Sequence, residues 1–280
     1  MTDPAYDDWQ PRLVALDIDG TVIQWVEGTG QDNEEIAPAV RAAVHRVLDA
    51  GGHVVLASGR SIDGMTSVVD LLGLHRGEQV WVVASNGGVV FRYPPVDVVH
   101  EERFDASEAV RAILAEHPTA LVAVEEYGVG YRVSHHFPPG ELSGTQIVAD
   151  VDELVAEPVT RVVIRDPDAT PEEFVELGRR LGLANTEYVV GWSAWMDLAP
   201  VGVSKASGLA RVADALGIDA HETLAIGDGR NDLEMLRWAH RGVAMGQAVD
   251  EVKAVADDVT APVEEDGVAV ELARWFLPDR

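Results

Sequence analysis

Two aspartates one residue apart, Asp17 and Asp19, close the run Leu13–Thr21, LVALDIDGT. Four successive apolar residues read as a buried parallel strand, and the tips of such strands are where open α/β sheets bind ligands. Two carboxylates released there, half out of water, are destabilising unless a cation balances them, and hard oxygen donors favour Mg²⁺. A calcium loop is the competing chemistry. An EF-hand loop, however, needs a third acidic or amide residue at its fifth position and glycine at its sixth, whereas Gly20 is fourth here and a strand precedes it.

Other polar groups stand at the ends of short apolar runs or open helices. Ser58 follows His53–Ala57 (HVVLA) and begins Ser58-Gly59-Arg60; taken alone, it reads equally well as the N-cap of a helix starting near Ser61. Asp228 follows Thr223–Gly227 (TLAIG) and leads into Gly229, Arg230, Asn231 and Asp232. As a dinucleotide loop this stretch fails, because Asp232 holds the third glycine position and its carboxylate, with that of Asp228, would repel a pyrophosphate. The chain also lacks a Gly-Lys-Ser/Thr phosphate loop. Lys205 is one of two lysines among nineteen arginines, so lysine is not the routine surface cation; the competing reading is a solvated helix-surface ammonium.

The elements that must carry these residues alternate. Ile36–Ala50 has apolar residues at helical spacing and stops at Gly51-Gly52; Ile62–Leu72 is a second helix; Val80–Ala84 (VWVVA) is a third buried strand ending in Ser85-Asn86-Gly87-Gly88. Strand, helix, strand with a right-handed crossover makes neighbouring strands parallel and can bring their tips together. Asn86-Gly87 between valine-rich segments reads as a hairpin turn. From about Phe91 to Ala199 strands fall in adjacent pairs, which predicts a separate α+β module. Its strands are expected at Val96–Phe104, Ala120–Val124, Val129–Val133, Thr160–Ile164, Thr186–Val190 and Ala194–Leu198, its helices at Ser107–His117 and Pro171–Leu181. Pro94-Pro95 and Pro200 mark its expected hinges. The alternating pattern then resumes with a helix from Lys205 to Leu216 capped by Ser204, a helix opened by the Asp228–Asp232 stretch, and strands at Gly242–Met245 and Asp258–Thr260 between helices Ala248–Ala256 and Val268–Phe276. The expected architecture is α/β: a doubly wound, mostly parallel, Rossmann-like sheet built from 1–90 and 200–280, with an inserted α+β domain at 91–199.

Composition narrows the partners. With 280 residues, 47% apolar and 25% charged, the chain is an ordinary globular sequence long enough for two cores. Forty-eight acids against twenty-one bases leave a net charge of −27, which repels nucleic acid and anionic membrane surfaces alike. There is no cysteine, hence no disulfide, thiolate metal site or cysteine nucleophile. The acidic start MTDPAYDDWQPR lacks a signal pattern and no apolar run approaches a membrane span, so a cytoplasmic protein is expected.

Taken in order, Asp17-Ile18-Asp19-Gly20-Thr21, Ser58-Gly59-Arg60, Lys205 and Gly227–Asp232 resemble the four motifs of the haloacid dehalogenase-like superfamily. Thirty-eight residues separate Asp19 from Ser58 and 146 separate Ser58 from Lys205. That layout resembles the class whose cap is inserted after the third core strand, which includes Cof-type sugar phosphatases and the sucrose-phosphatase branch. Cof-type members carry an Asn-Gly where the chain leaves the core, a second reading of Asn86-Gly87.

The resemblance implies a Mg²⁺-dependent phosphatase in which Asp17 attacks a phosphomonoester, Asp19 acts as general acid and base, Ser58 binds the phosphoryl group and Lys205 neutralises charge. The implied metal set is Asp17, the Asp19 backbone carbonyl and Asp228, with Asp232 and Asn231 in support. Gly20, Thr21, Gly59, Arg60 and Asn86 are implied phosphate or substrate neighbours. A phosphomutase and a catalytically retired phosphate-binding protein are the competing functions. The expected substrate is a small phosphorylated sugar or polyol read by the cap, where Tyr127, Tyr131, His135, His136, Tyr188, Trp192 and Trp195 supply flat, hydrogen-bonding side chains. Trp192 and Trp195, beside the return hinge, are the leading contacts; the bland alternative for each is sheet packing.

Overall fold

A computed structural model describes residues 9–24, 35–126, 129–142, 144–181, the backbone of 186–190, and 194–277. The first strand, β1 (Leu13–Leu16), is buried at every position, because it lies mid-sheet with helices on both faces. It runs parallel to β2 (His53–Ala57) on one side and β12 (Thr223–Gly227) on the other. The eight-stranded order is β14-β13-β12-β1-β2-β3-β4-β5, where β3 is Val80–Ala84, β4 Val89–Tyr93, β5 Asp97–Glu101, β13 Arg241–Ala244 and β14 Asp258–Val259. Pairings are parallel from β14 to β3 and antiparallel thereafter.

Alternation along each strand divides the core in two. Val14 and Leu16 face α1 (Pro38–Asp49), α2 (Ile62–Leu72) and α9 (Gly267–Leu272), while Leu13 and Ala15 face α6 (Lys205–Leu216), α7 (Leu233–Trp238) and α8 (Asp250–Lys253). The doubly wound expectation holds.

The second sheet, in order β10-β11-β9-β6-β7-β8, contains β6 (Leu121–Glu126), β7 (Gly130–Val133), β8 (Thr145–Val148), β9 (Val162–Arg165), β10 (Thr186–Val190) and β11 (Trp195–Pro200). One face packs on α3 (Ser107–Glu116) and α5 (Pro171–Leu181), with the short α4 (Val151–Leu154) at its edge. On the other face Ala123, Tyr131, Val133 and Val163 are covered by Phe137 and Leu142.

Two expectations are corrected. The strand expected at Val96–Phe104 forms as β5, and it extends the first sheet through β4, so a boundary at 91 cuts a core strand. The break in rhythm after β3 is an antiparallel extension of the same sheet, since Ser85–Gly87 turns β4 back along β3. Pro94-Pro95 is accordingly the turn between β4 and β5 and not an interdomain hinge. Strand β8, its residues partly exposed or exposed, lies outside the set of expected strands. Among the described residues no helix is long and apolar enough to cross a membrane.

Candidate active site

The strand tips of β1, β2 and β12 adjoin because the strands pair in register: Leu16 is level with Leu56 and Ile226. Asp17 leaves β1 with its N–H on the Ile226 carbonyl, 3.0 Å away. Lys205, the first residue of α6, is completely buried and donates from Nζ to Asp17 Oδ1 and to Asp232 Oδ1, each at 2.6 Å. The second oxygen of Asp232 accepts the backbone N–H groups of Asp228 and Gly229, both at 2.9 Å. Asp232 thus fixes the lysine and the loop that presents Asp228. The bland reading of Lys205 as a solvated cation is excluded by its burial.

Oxygens of Asp17, Asp228 and Asp232 lie within 4.8 Å of one another, all three residues buried. With one lysine among three carboxylates, the cluster has two excess negative charges when all are ionised. Burial first, and the Asp232 charge second, push Asp17 up to about 7 although Lys205 opposes them. Burial, Asp17 and Asp232 push Asp228 up to about 8. Burial alone would lower the Lys205 ammonium, but the two carboxylates outweigh it and hold it above the ordinary lysine range. Such a set suits a hard dication, which would remove the excess charge while ligated by oxygen alone. The loop geometry fits as well. Gly20, at φ +82°, lies so close that a Cβ there would sit 2.2 Å from Asp228 Oδ2. Gln247 Nε2 ties the two sides together, donating to the Gly20 carbonyl at 2.6 Å and Asp228 Oδ2 at 3.3 Å.

Asp19 turns elsewhere. Its carboxylate accepts from Arg60 Nε at 2.8 Å and Nη2 at 2.5 Å, a two-pronged ion pair with the guanidinium nearly buried. Its carboxylate is therefore not part of the Asp17–Asp228–Asp232 cluster. Ser58 is buried at the tip of β2 and its Oγ accepts the Arg60 N–H at 3.3 Å. It does not cap α2; Ser61 does, accepting from Gly64 N. Thr21 is buried, and its hydroxyl has no hydrogen-bond partner among the described residues.

Asn86-Gly87 forms the turn between two strands of the core sheet, as the hairpin reading expects, and the chain does not leave the core there. The Asn86 backbone, at φ 52°, makes the β3–β4 turn, and its N–H bonds the Ser58 carbonyl. Its side chain accepts from Asn231 Nδ2 at 3.0 Å and donates to Asp197 Oδ2 at 3.2 Å. A Cβ on Gly59 would lie 3.2 Å from the same amide. Trp195 packs edge-on against Phe137 and donates Nε1 to Asp197 Oδ1 at 3.2 Å, so it braces Asp197 instead of lining the carboxylate cluster. Trp192, Tyr127 and the side chain of Tyr188 lie outside the described residues. His135 and His136 are exposed, and Tyr131 is buried.

Gln247 and Asp197 escaped the sequence reading. Gln247 is the first polar residue after β13 but stands three positions beyond its end, whereas Ser58 directly follows β2. Asp197 was visible as the one charge in the apolar alternation WMDLAP.

An oxygen-only carboxylate cluster at adjoining strand tips, a buried lysine and a three-layered α/β/α core define a phosphoryl-transfer type of site. A family model described as haloacid dehalogenase-like hydrolase matches residues 14–272, and the chain belongs to this family. It is 30% identical to a Bacillus subtilis protein named 5-amino-6-(5-phospho-D-ribitylamino)uracil phosphatase, over 95% of this chain and 98% of that one. A second B. subtilis protein of the same name is 27% identical over 97% and 98% of the two chains. The solved structure of a subclass IIB sugar phosphatase shares the fold, with a TM-score of 0.78 at 24% identity, covering 94% of this chain and 98% of that one. The chain is a phosphatase of the haloacid dehalogenase-like superfamily.

Proposed function

We propose that the chain is a Mg²⁺-dependent phosphatase that removes phosphate from a small phosphorylated sugar or polyol through an aspartyl-phosphate on Asp17. The observation that carries this reading is the Lys205 ammonium, fully buried and 2.6 Å from both Asp17 and Asp232. An ammonium in that place steadies an anionic nucleophile against an incoming phosphate dianion and neutralises non-bridging oxygens as the transition state forms. Asp17, Asp228 and the Asp19 backbone carbonyl would hold Mg²⁺, which supplies Lewis-acid neutralisation of the phosphoryl oxygens. Ser58 donates to the phosphoryl group. Asp19, once released from Arg60 and protonated from solvent, gives that proton to the departing alkoxide and afterwards takes a proton from the hydrolytic water. The names of the relatives, a ribitylamino-uracil phosphatase and a sugar phosphatase, support a hydroxylated leaving group.

The test is phosphate release from a panel of sugar and polyol phosphates. Activity should require Mg²⁺, disappear with EDTA, and fall by roughly 10⁴-fold or more in Asp17→Asn while the circular dichroism spectrum is retained. Wild-type turnover in that variant would remove the mechanism. Phosphate release only in the presence of a bisphosphate activator would identify a mutase instead.

A further inference from the structure

At the end of the core sheet opposite Asp17, the segments that lead into β12 and β13 bring two histidines together. His221 lies two residues before β12 and is exposed; His240 immediately precedes β13 and is half-buried. Their ring centroids are 5.3 Å apart with 78° between the planes, and the two Nδ1 atoms are separated by 3.4 Å. The backbone around them fixes this meeting. The buried Thr223 hydroxyl accepts the His240 N–H at 3.2 Å and donates to the Ala220 carbonyl at 2.6 Å, which ties both segments to one side chain. Asp219 Oδ1 accepts the His221 N–H at 2.9 Å. Trp9 Nε1 donates to the His221 carbonyl at 2.8 Å, and its ring packs 5.3 Å from that of His240.

The Nδ1 separation decides what the pair is suited to. At 3.4 Å it is longer than the about 2.7–3.2 Å of a well-formed N–H hydrogen bond. It matches a chelate bite, because metal–nitrogen bonds of about 2.0–2.1 Å at a tetrahedral angle set two ligand nitrogens about 3.3–3.4 Å apart. We infer that His221 and His240 form a second metal site, which takes a divalent transition ion such as Zn²⁺ through the two Nδ1 atoms. Imidazole nitrogen suits zinc, copper and nickel, whereas Mg²⁺ takes oxygen, so this site and the carboxylate cluster select different ions. No side chain has to move aside, since the nitrogens already stand at ligand spacing and His221 is exposed. Asp219 and Glu222, which flank His221, are engaged by the His221 and Asp219 N–H groups and by Arg12, so water completes the coordination shell. The net charge of −27 draws cations to the surface. The bound ion staples the entries of β12 and β13, and with only two protein ligands it exchanges as the zinc concentration changes.

The experiment is a calorimetric titration with Zn²⁺ of the full chain, stripped with EDTA and returned to excess Mg²⁺ so that the carboxylate cluster is filled. A single zinc ion per chain should bind, and its addition should raise Tm. His221→Ala and His240→Ala should each weaken zinc binding roughly tenfold or more and abolish the rise in Tm. Alanine at both His135 and His136, an exposed pair in the second domain, should leave the zinc affinity as in wild type, and so should Asp228→Asn. Should His240→Ala fail to fold, His221→Ala, which removes an exposed side chain, decides alone. Absence of zinc binding in wild type, or an unchanged affinity and Tm rise in His221→Ala, overturns the proposal. Loss of zinc binding in Asp228→Asn overturns it too, by placing the ion in the carboxylate cluster.

Discussion

Asp17 and Asp228 carry protons to unusually high pH for aspartates, about 7 and 8, because burial and neighbouring carboxylates penalise their charged forms. Their folded values lie above the ordinary 3.8, so between about pH 4 and pH 8 the folded chain binds more protons than the unfolded one, and stability falls as pH rises through that window. A dication relieves this cost only where the carboxylates have ionised. Addition of Mg²⁺ should therefore raise Tm in an EDTA-treated sample, and the rise should be larger at pH 8 than at pH 5. Equal rises at both would mean that the metal binds elsewhere. Lys205 and Lys253 make a second comparison. Lys205→Ala strips two buried carboxylates of their partner, which should cost about 3–5 kcal/mol in stability without metal and about 10²–10³ in rate. Lys253→Ala, on α8, should cost little of either. Comparable losses in phosphate release from the two would show that Lys205 does not act on the reacting phosphate.

At the scale of elements, the turn Ser85–Gly87 positions the helix that carries Lys205. Gly87, at φ +99°, leaves room for the Ser204 carbonyl, and a Cβ there would sit 1.9 Å from that oxygen. Ser204 in turn caps α6 with a reciprocal Ser204–Ser207 box. Backbone against backbone cannot yield cheaply. Gly87→Ala should consequently displace the start of α6 and lower both Tm and kcat, more than Ser204→Ala, for which loss of a cap costs about 0.5–2 kcal/mol. A Gly87→Ala enzyme with wild-type kcat and Tm would refute the coupling.

The same elements explain what the sequence disclosed. Buried parallel strands announce themselves as unbroken apolar runs, and a polar residue ending each run is conspicuous; Asp17, Ser58 and Asp228 were legible for this reason, and Lys205 from the rarity of lysine. Less legible was which sheet a strand joins. Val89–Tyr93 and Asp97–Glu101 carry no mark of belonging to β3 rather than to the strands that follow, because pairing is a long-range choice made by the turn at Ser85–Gly87. Thr145–Val148 was silent because an edge strand with exposed side chains has no apolar periodicity to show. The partner of Asp19 could not be read either, since the Arg60 side chain is aimed by the third dimension.

For the whole molecule, the decisive feature is how its two cores are joined. Among the described residues the apolar clusters of the first sheet and those of the second share no residue, and the hydrogen bonds of Ser85, Asn86 and Ile62 with Glu125 and Asp197 are polar contacts that join them in a seam at the site. Polar contacts of this kind exchange for water at little net cost, whereas separating strands within either core would expose buried apolar surface. Relative motion of the two sheets is therefore expected to cost less than opening either core, and it would expose the ground above Asp17 while leaving the Lys205 cluster intact. Hydrogen exchange checks this directly. The Asn86 amide, bonded to the Ser58 carbonyl beside the seam, and the Ile62 amide, bonded to Glu125 across it, should exchange much faster than those of β1 and β12 in the free protein. Mg²⁺ with orthovanadate, which occupies the phosphoryl position, should slow the seam amides and leave β1 and β12 unchanged. Seam amides as slow as the central strands in the free protein would mean that the two sheets behave as one rigid body and that substrate enters by another route.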